Sequence, residues 1–118
     1  MQYILLIYGN EAEAKSASKE DGMRMRSEYR TFTEELKGSG KMLGGDALEA
    51  STTATTVRVK AGKTLRTDGP FAETREQLGG FYSVEAKDLD EAVMIAAKIP
   101  GAKTGCIEVR PIMKIPAM

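Results

Sequence analysis

The chain has 118 residues, with 17 basic and 17 acidic side chains, no histidine and one cysteine. Zero formal charge leaves no global field to draw in nucleic acid or an anionic membrane, so neither is an expected partner. The lone Cys106 excludes an intrachain disulfide. No apolar run nears the ~18 residues that span a bilayer, and no leader-like pattern opens the chain. The expectation is one soluble, cytoplasmic domain over residues 1–118, burying roughly two-thirds of its unfolded surface.

Tyr3-Ile4-Leu5-Leu6-Ile7-Tyr8 is a continuous apolar run ended by Gly9-Asn10, too short for an ordinary helix and suited to a central strand covered on both faces. Residues 10–20 are small and charged and read as a loop or a frayed entry to a helix. Ser18 and Asp21, three apart, give a weak start signal. From about Asp21 to Lys37, Met25, Tyr29, Phe32 and Leu36 recur at helical spacing as one core-packing stripe. Glu34 and Glu35 fall on the solvated side, and Gly38-Ser39-Gly40 ends the helix. Met42 to Leu48 is a short, irregular strand whose paired glycines suggest a bulge or a close backbone approach, with Asp46 a minor site candidate. Thr56-Val57-Arg58-Val59-Lys60 alternates apolar and polar, Ala61-Gly62-Lys63 turns, and Thr64 to Thr67 returns, a hairpin that delivers the chain to Asp68.

The next stretch, Asp68 to Phe81, is the most singular of the sequence. The Gly69-Pro70 step forces a turn or an extended course, because proline fixes φ and lacks an N–H. Asp68 is placed to hold the turn by accepting from backbone N–H groups two residues on. Glu73, Arg75 and Glu76 follow, two carboxylates flanking a guanidinium, with an Arg75 ion pair to Glu73 or Glu76 the plainest role for the arginine. Cys106 reads as a small buried hydrophobe.

Gly79 to Glu85 is a strand with Tyr82 and Val84 on one face and Phe81 on the other. Asp88-Leu89-Asp90-Glu91 is a capping-box pattern for a helix to about Lys98, whose apolar face is Leu89, Ala92, Val93 and Ala96; Met94 reads as packing. Pro100-Gly101 stops it. Gly105 to Ile112 is the last strand, Ile107 and Val109 facing one way and Glu108 and Arg110 the other. The order is a βαββαβ core with an inserted hairpin, an α+β antiparallel sheet with two helices on one face. The other face would leave Phe81 and half of strand one uncovered, which a two-fold homodimer with facing sheets would resolve.

Residues 68–80, with the opening Tyr3–Tyr8 and the closing Ile107-Glu108-Val109-Arg110-Pro111, resemble the DGPF-domain branch of the YCII-related family nearly end to end. The resemblance implies a small dimeric domain of ferredoxin-like plan, a dimeric α+β barrel, largely without an established activity. Some relatives occur with sigma-factor-like proteins, which implies a transcription-associated role. YCII-type relatives for which catalysis has been suggested use a histidine paired with an aspartate; with no histidine here, that dyad does not transfer.

No Cys/His cluster, EF-hand spacing, Walker motif or dinucleotide glycine signature is present, so no metal or cofactor is expected. Two functions stay open. The favoured one is a non-catalytic accessory or partner-binding domain in which the 68–71 turn is structural and Glu108 and Arg110 brace the interface. The alternative is an enzyme of lyase or isomerase type acting on a small molecule in a cleft near 68–76. Asp68 and Glu73 would be its acid/base groups, with Tyr8, Arg75, Glu76, Glu108 and Arg110 lining the ligand.

Overall fold

The uncharged run Tyr3–Tyr8 lies inside strand β1 (Gln2–Gly9), and the computed structural model, which describes residues 1–117, pairs it on both edges. Strand β5 (Gln77–Glu85) runs antiparallel on one side and β6 (Cys106–Pro111) antiparallel on the other. Strand β2 (Met42–Ala47) adds beyond β5, which gives a four-stranded sheet in the order β2-β5-β1-β6. Strands β3 (Thr55–Lys60) and β4 (Lys63–Asp68) form a separate two-stranded antiparallel sheet. The helices are α1 (Glu11–Ser16), α2 (Lys19–Gly38) and α3 (Leu89–Ala97), so the chain is mixed α+β with six strands in antiparallel sheets.

Register decides which side chains meet. Tyr3 opposes Val84 and Leu5 opposes Tyr82, so these four point to one face, where Phe32 and Leu36 of α2, Ala92 and Ala96 of α3, and Ile99 close over them. Leu5, Val84 and Ile99 are fully buried, each contributing about 1.5–3 kcal/mol of transfer free energy. Phe32 meets the Tyr82 ring edge-on, centroids 5.1 Å apart. The α3 seam runs through Ala92, Ile95, Ala96 and Ile99. Leu89 and Val93, expected on that face, are instead exposed, because alanines at 92 and 96 let the helix sit close and turn its larger residues outward. Met94, expected to pack, is exposed as well. On the opposite face of the sheet Ile4, Leu6 and Phe81 are only half-buried.

Caps explain where the helices start. Ser18 accepts from the Asp21 N–H at 3.1 Å and Asp88 from the Glu91 N–H at 2.9 Å, each satisfying a first-turn donor. The Glu91 carboxylate reaches back to the N–H of Lys87, one residue beyond the reciprocal partner of a capping box, and takes the Lys41 ammonium at 3.0 Å. The segment expected as a loop contains α1. Asn10 caps it by accepting from the Glu13 N–H, and Glu11 ties it down by accepting from the N–H and hydroxyl of Ser51, each at 2.7 Å. These partners lie about forty residues away in sequence, beyond any local pattern.

The β3–β4 hairpin turns at Ala61 (φ 50°) and Gly62 (φ 76°), the left-handed pair that suits a two-residue loop on twisted strands. Val57, Val59 and Leu65 on it are exposed at 58%, 67% and 45%. The molecule measures 48 × 47 × 19 Å and its radius of gyration is 16.5 Å, against about 13.5 Å for a compact chain of this length. No helix among the described residues is long and apolar enough to cross a membrane.

Candidate functional site

Helix α2 enters the core through its second half, at Phe32 and Leu36, while Met25 and Tyr29 on the same stripe stay half-buried. Between α1, the first half of α2 and the β2-β5-β1 side of the sheet lies a cleft of about 1050 Å³. Its apolar lining includes Ile7, Met25, Met42 and Pro100, with Gly45 and Gly80 where neighbouring strands carry side chains. A Cβ at Gly45 would stand 2.6 Å from the Phe81 carbonyl oxygen, so the backbone contact there requires glycine.

Polar groups enter the cleft at defined points. The Tyr29 hydroxyl accepts from the Gly101 N–H at 3.1 Å. A Cβ at Gly101 would lie 2.6 Å from that phenol oxygen, so glycine is what lets the ring reach the backbone. The hydroxyls of Tyr82 and Thr33 share a hydrogen bond of 2.7 Å. Burial raises the Tyr29 pKa, the Gly101 hydrogen bond partly offsets this, and the Tyr82 phenol adds to it, so Tyr29 holds its proton across the neutral range. The lining also holds five carboxylates (Glu11, Glu13, Asp21, Glu28, Asp46) and three cations (Arg24, Lys37, Lys103). Asp21 is paired with Arg24 at 2.9 Å, and Glu11 is committed to Ser51.

Of the residues singled out from sequence, Tyr8 and the minor candidate Asp46 line this cleft, and Asp68, Glu73, Arg75, Glu76, Glu108 and Arg110 do not. Asp68 is the exposed last residue of β4, and no hydrogen bond among the described residues ends on its carboxylate. The turn after it is held instead by the Gly69 N–H donating to the Ala54 carbonyl at 2.7 Å and the Thr56 hydroxyl donating to the Gly69 carbonyl at 2.8 Å. A backbone donor and a β-branched hydroxyl at the hairpin base thus replace the expected Asx turn. Glu73 and Arg75 are exposed, and none of the ion pairs among the described residues includes Arg75, in contrast to the expected pair with Glu73 or Glu76.

The other candidates gather along β6. Cys106 opposes Tyr8, Glu108 opposes Leu6 and Arg110 opposes Ile4; Glu108 and Arg110 are ion-paired. Glu76 accepts from the Cys106 thiol, whose pKa is raised by desolvation and by the negative charges of Glu76 and Glu108. Cys106 is exposed, contrary to the buried position expected, because β6 is an edge strand and position 106 alternates away from Ile107 and Val109. Among the described residues no group of three carboxylate, cysteine or histidine side chains could hold a metal ion.

The residues missed from sequence are Tyr29, Thr33, Tyr82 and Gly101. Their one sequence signal was a tyrosine at a stripe position, an apolar ring with a polar tip that must find a partner when buried.

Comparison with known proteins covers nearly the whole chain. The YCII-related domain matches residues 1–116. An uncharacterized protein of Rhizobium meliloti (strain 1021) is 39% identical over 114 residues, covering 95% of this chain and 92% of the relative. With a family match spanning both strand edges, the cleft and the 68–81 segment, the chain belongs to the YCII-related family.

Proposed function

We propose that this YCII-related chain is a ligand-binding domain, holding a small molecule in the cleft beneath α2 without transforming it, and that it works as a cytoplasmic homodimer in an accessory, transcription-associated role. The observation that carries this is the cleft itself: about 1050 Å³, mostly apolar, with the hydroxyl-bearing Tyr29, Thr33 and Tyr82 in its lining. Apolar walls with a few placed polar groups are the usual make-up of a small-molecule site. Two of the lining carboxylates are already committed, to Arg24 and to Ser51, which favours binding over acid/base turnover. The alternative, in which Asp68 and Glu73 act on a substrate held by Tyr8, Arg75, Glu76, Glu108 and Arg110, draws support only from the Tyr8–Cys106–Glu76 cluster.

Dimerisation is supported by two features. An isolated two-stranded hairpin is marginal in water, yet β3–β4 extends with Val57 and Val59 exposed. The sheet face carrying Ile4, Leu6 and Phe81 is half-open on the side away from the helices. A second copy set against that face would give the dimeric α+β barrel of the DGPF branch, with Glu108 and Arg110 bracing the contact. The strand order β2-β5-β1-β6 supports the ferredoxin-like plan.

The test of the cleft is an NMR fragment screen against the intact protein. Hits should perturb the amides of Met25, Tyr29, Thr33, Gly45 and Gly101; an absence of hits at millimolar concentration, or hits that cluster at Asp68–Glu76, would refute it. For the dimer, light scattering of the double variant Val57→Asp/Val59→Asp should report half the native mass, and an already monomeric native protein would end that part of the proposal.

A further inference from the structure

We infer that the molecule this cleft takes is uncharged and largely apolar, and that its carbonyl oxygen accepts a hydrogen bond from the Tyr29 hydroxyl; this rests on the ligand-binding reading above. A phenol has one proton to donate and an oxygen that accepts. The Tyr29 oxygen is taken by the Gly101 N–H, and no hydrogen bond among the described residues uses its proton. Tyr29 lines the cleft, so its free donor is available to solvent there or to a molecule that displaces it. Thr33 and Tyr82 repeat the pattern: two hydroxyls have two protons, and their 2.7 Å bond consumes one. Two unused donors therefore belong to residues that line one cleft, and a carbonyl oxygen, with two lone pairs, matches them.

Charge selects among the possible acceptors. Five carboxylates against three cations around the cleft disfavour an anionic ligand such as a carboxylate or phosphate, which would also meet Asp46 and Glu28 without a dedicated arginine clamp. A cation would be drawn by the rim but would leave both hydroxyl protons unused. Burial holds the Tyr29 proton in place, so the group stays a donor at neutral pH rather than becoming a phenolate. The apolar walls of Ile7, Met25, Met42 and Pro100 then take the remainder of the molecule.

The experiment uses three probes of one shape, 2-acetylnaphthalene (neutral ketone), 2-ethylnaphthalene (no acceptor) and 2-naphthoate (anion), titrated onto the native protein, Tyr29→Phe and Met25→Trp. The ketone should bind about tenfold more tightly than the hydrocarbon, the worth of one hydrogen bond, and more tightly than naphthoate. Tyr29→Phe should erase most of the ketone's advantage and leave the hydrocarbon unchanged. The infrared carbonyl stretch of bound 2-acetylnaphthalene should move to lower frequency in the native protein, a readout that needs no variant. Equal affinities for ketone and hydrocarbon, an unshifted carbonyl band, or tighter binding of naphthoate would overturn the carbonyl assignment while leaving the cleft as a binding site. Failure of every probe to bind, or binding untouched by the bulky Met25→Trp, would overturn the cleft reading and this inference with it.

Discussion

The two halves of α2 carry one apolar stripe into two different fates. In the second half Phe32 and Leu36 join Leu5, Val84 and Ala92 in the closed core; in the first half Met25 and Tyr29 stay half-buried and line the cleft, Tyr29 packing against the margin of the core. The stripe is continuous, so helix periodicity alone does not decide what a residue does. What decides is the opposing surface: where side chains of the sheet and α3 close over the stripe it becomes core, and where they do not it lines a cleft.

The comparison breaks if the two halves respond alike to mutation. Phe32→Ala should cost about 3–5 kcal/mol in chemical denaturation, since it removes a buried aromatic and its edge-on contact with Tyr82; a loss under about 1.5 kcal/mol would mean that the second half is no more committed than the first. Gly101→Ala should cost about 1–3 kcal/mol, because a methyl group 2.6 Å from the Tyr29 oxygen forces the ring or the loop to move. An unchanged melting temperature would show that the phenol is not held there. Met25→Ala should fall below about 1 kcal/mol for a half-buried side chain with little to lose, and should weaken probe binding instead.

The smallest effect belongs to the brace at the packed end, where the Lys41 ammonium and the Lys87 N–H hold the Glu91 pKa below its ordinary value. A carboxyl whose folded pKa is depressed stabilises the fold above its unfolded pKa, about 4.3, and that contribution is lost as pH falls through the lower folded value. Native protein should therefore show an acid-side decline in melting temperature that is shallower in Glu91→Gln. Parallel curves would remove Glu91 from that decline.

The strands, the hairpin and the caps at Ser18 and Asp88 were legible because each rests on residues within a few positions: alternation at Val57–Val59, paired glycines at 44–45, a side-chain acceptor three residues ahead of its donor. The site was not legible. The cleft exists only once α1, α2 and the sheet are assembled, and the partners Tyr29–Gly101 and Thr33–Tyr82 are 72 and 49 residues apart. Cys106 was misjudged for a related reason. Its neighbours look like core, but whether an alternate position faces helices or the open side depends on which strand lies at the edge. The turn at Asp68–Gly69 reads locally as an Asx turn, but it is fastened by Ala54 and Thr56 from the other strand of the hairpin.

The placement of β1 between β5 and β6 has a consequence during synthesis on the ribosome. Leu5 pairs with Tyr82 and with Val109, so β1 emerges long before its first partner β5, and its second edge stays open until β6 follows. Such non-local pairing is slow to form, because the loops must close before any contact rewards them. Meanwhile Tyr3-Ile4-Leu5-Leu6-Ile7-Tyr8, without a charge or a proline, is the kind of segment that self-associates as extended strands.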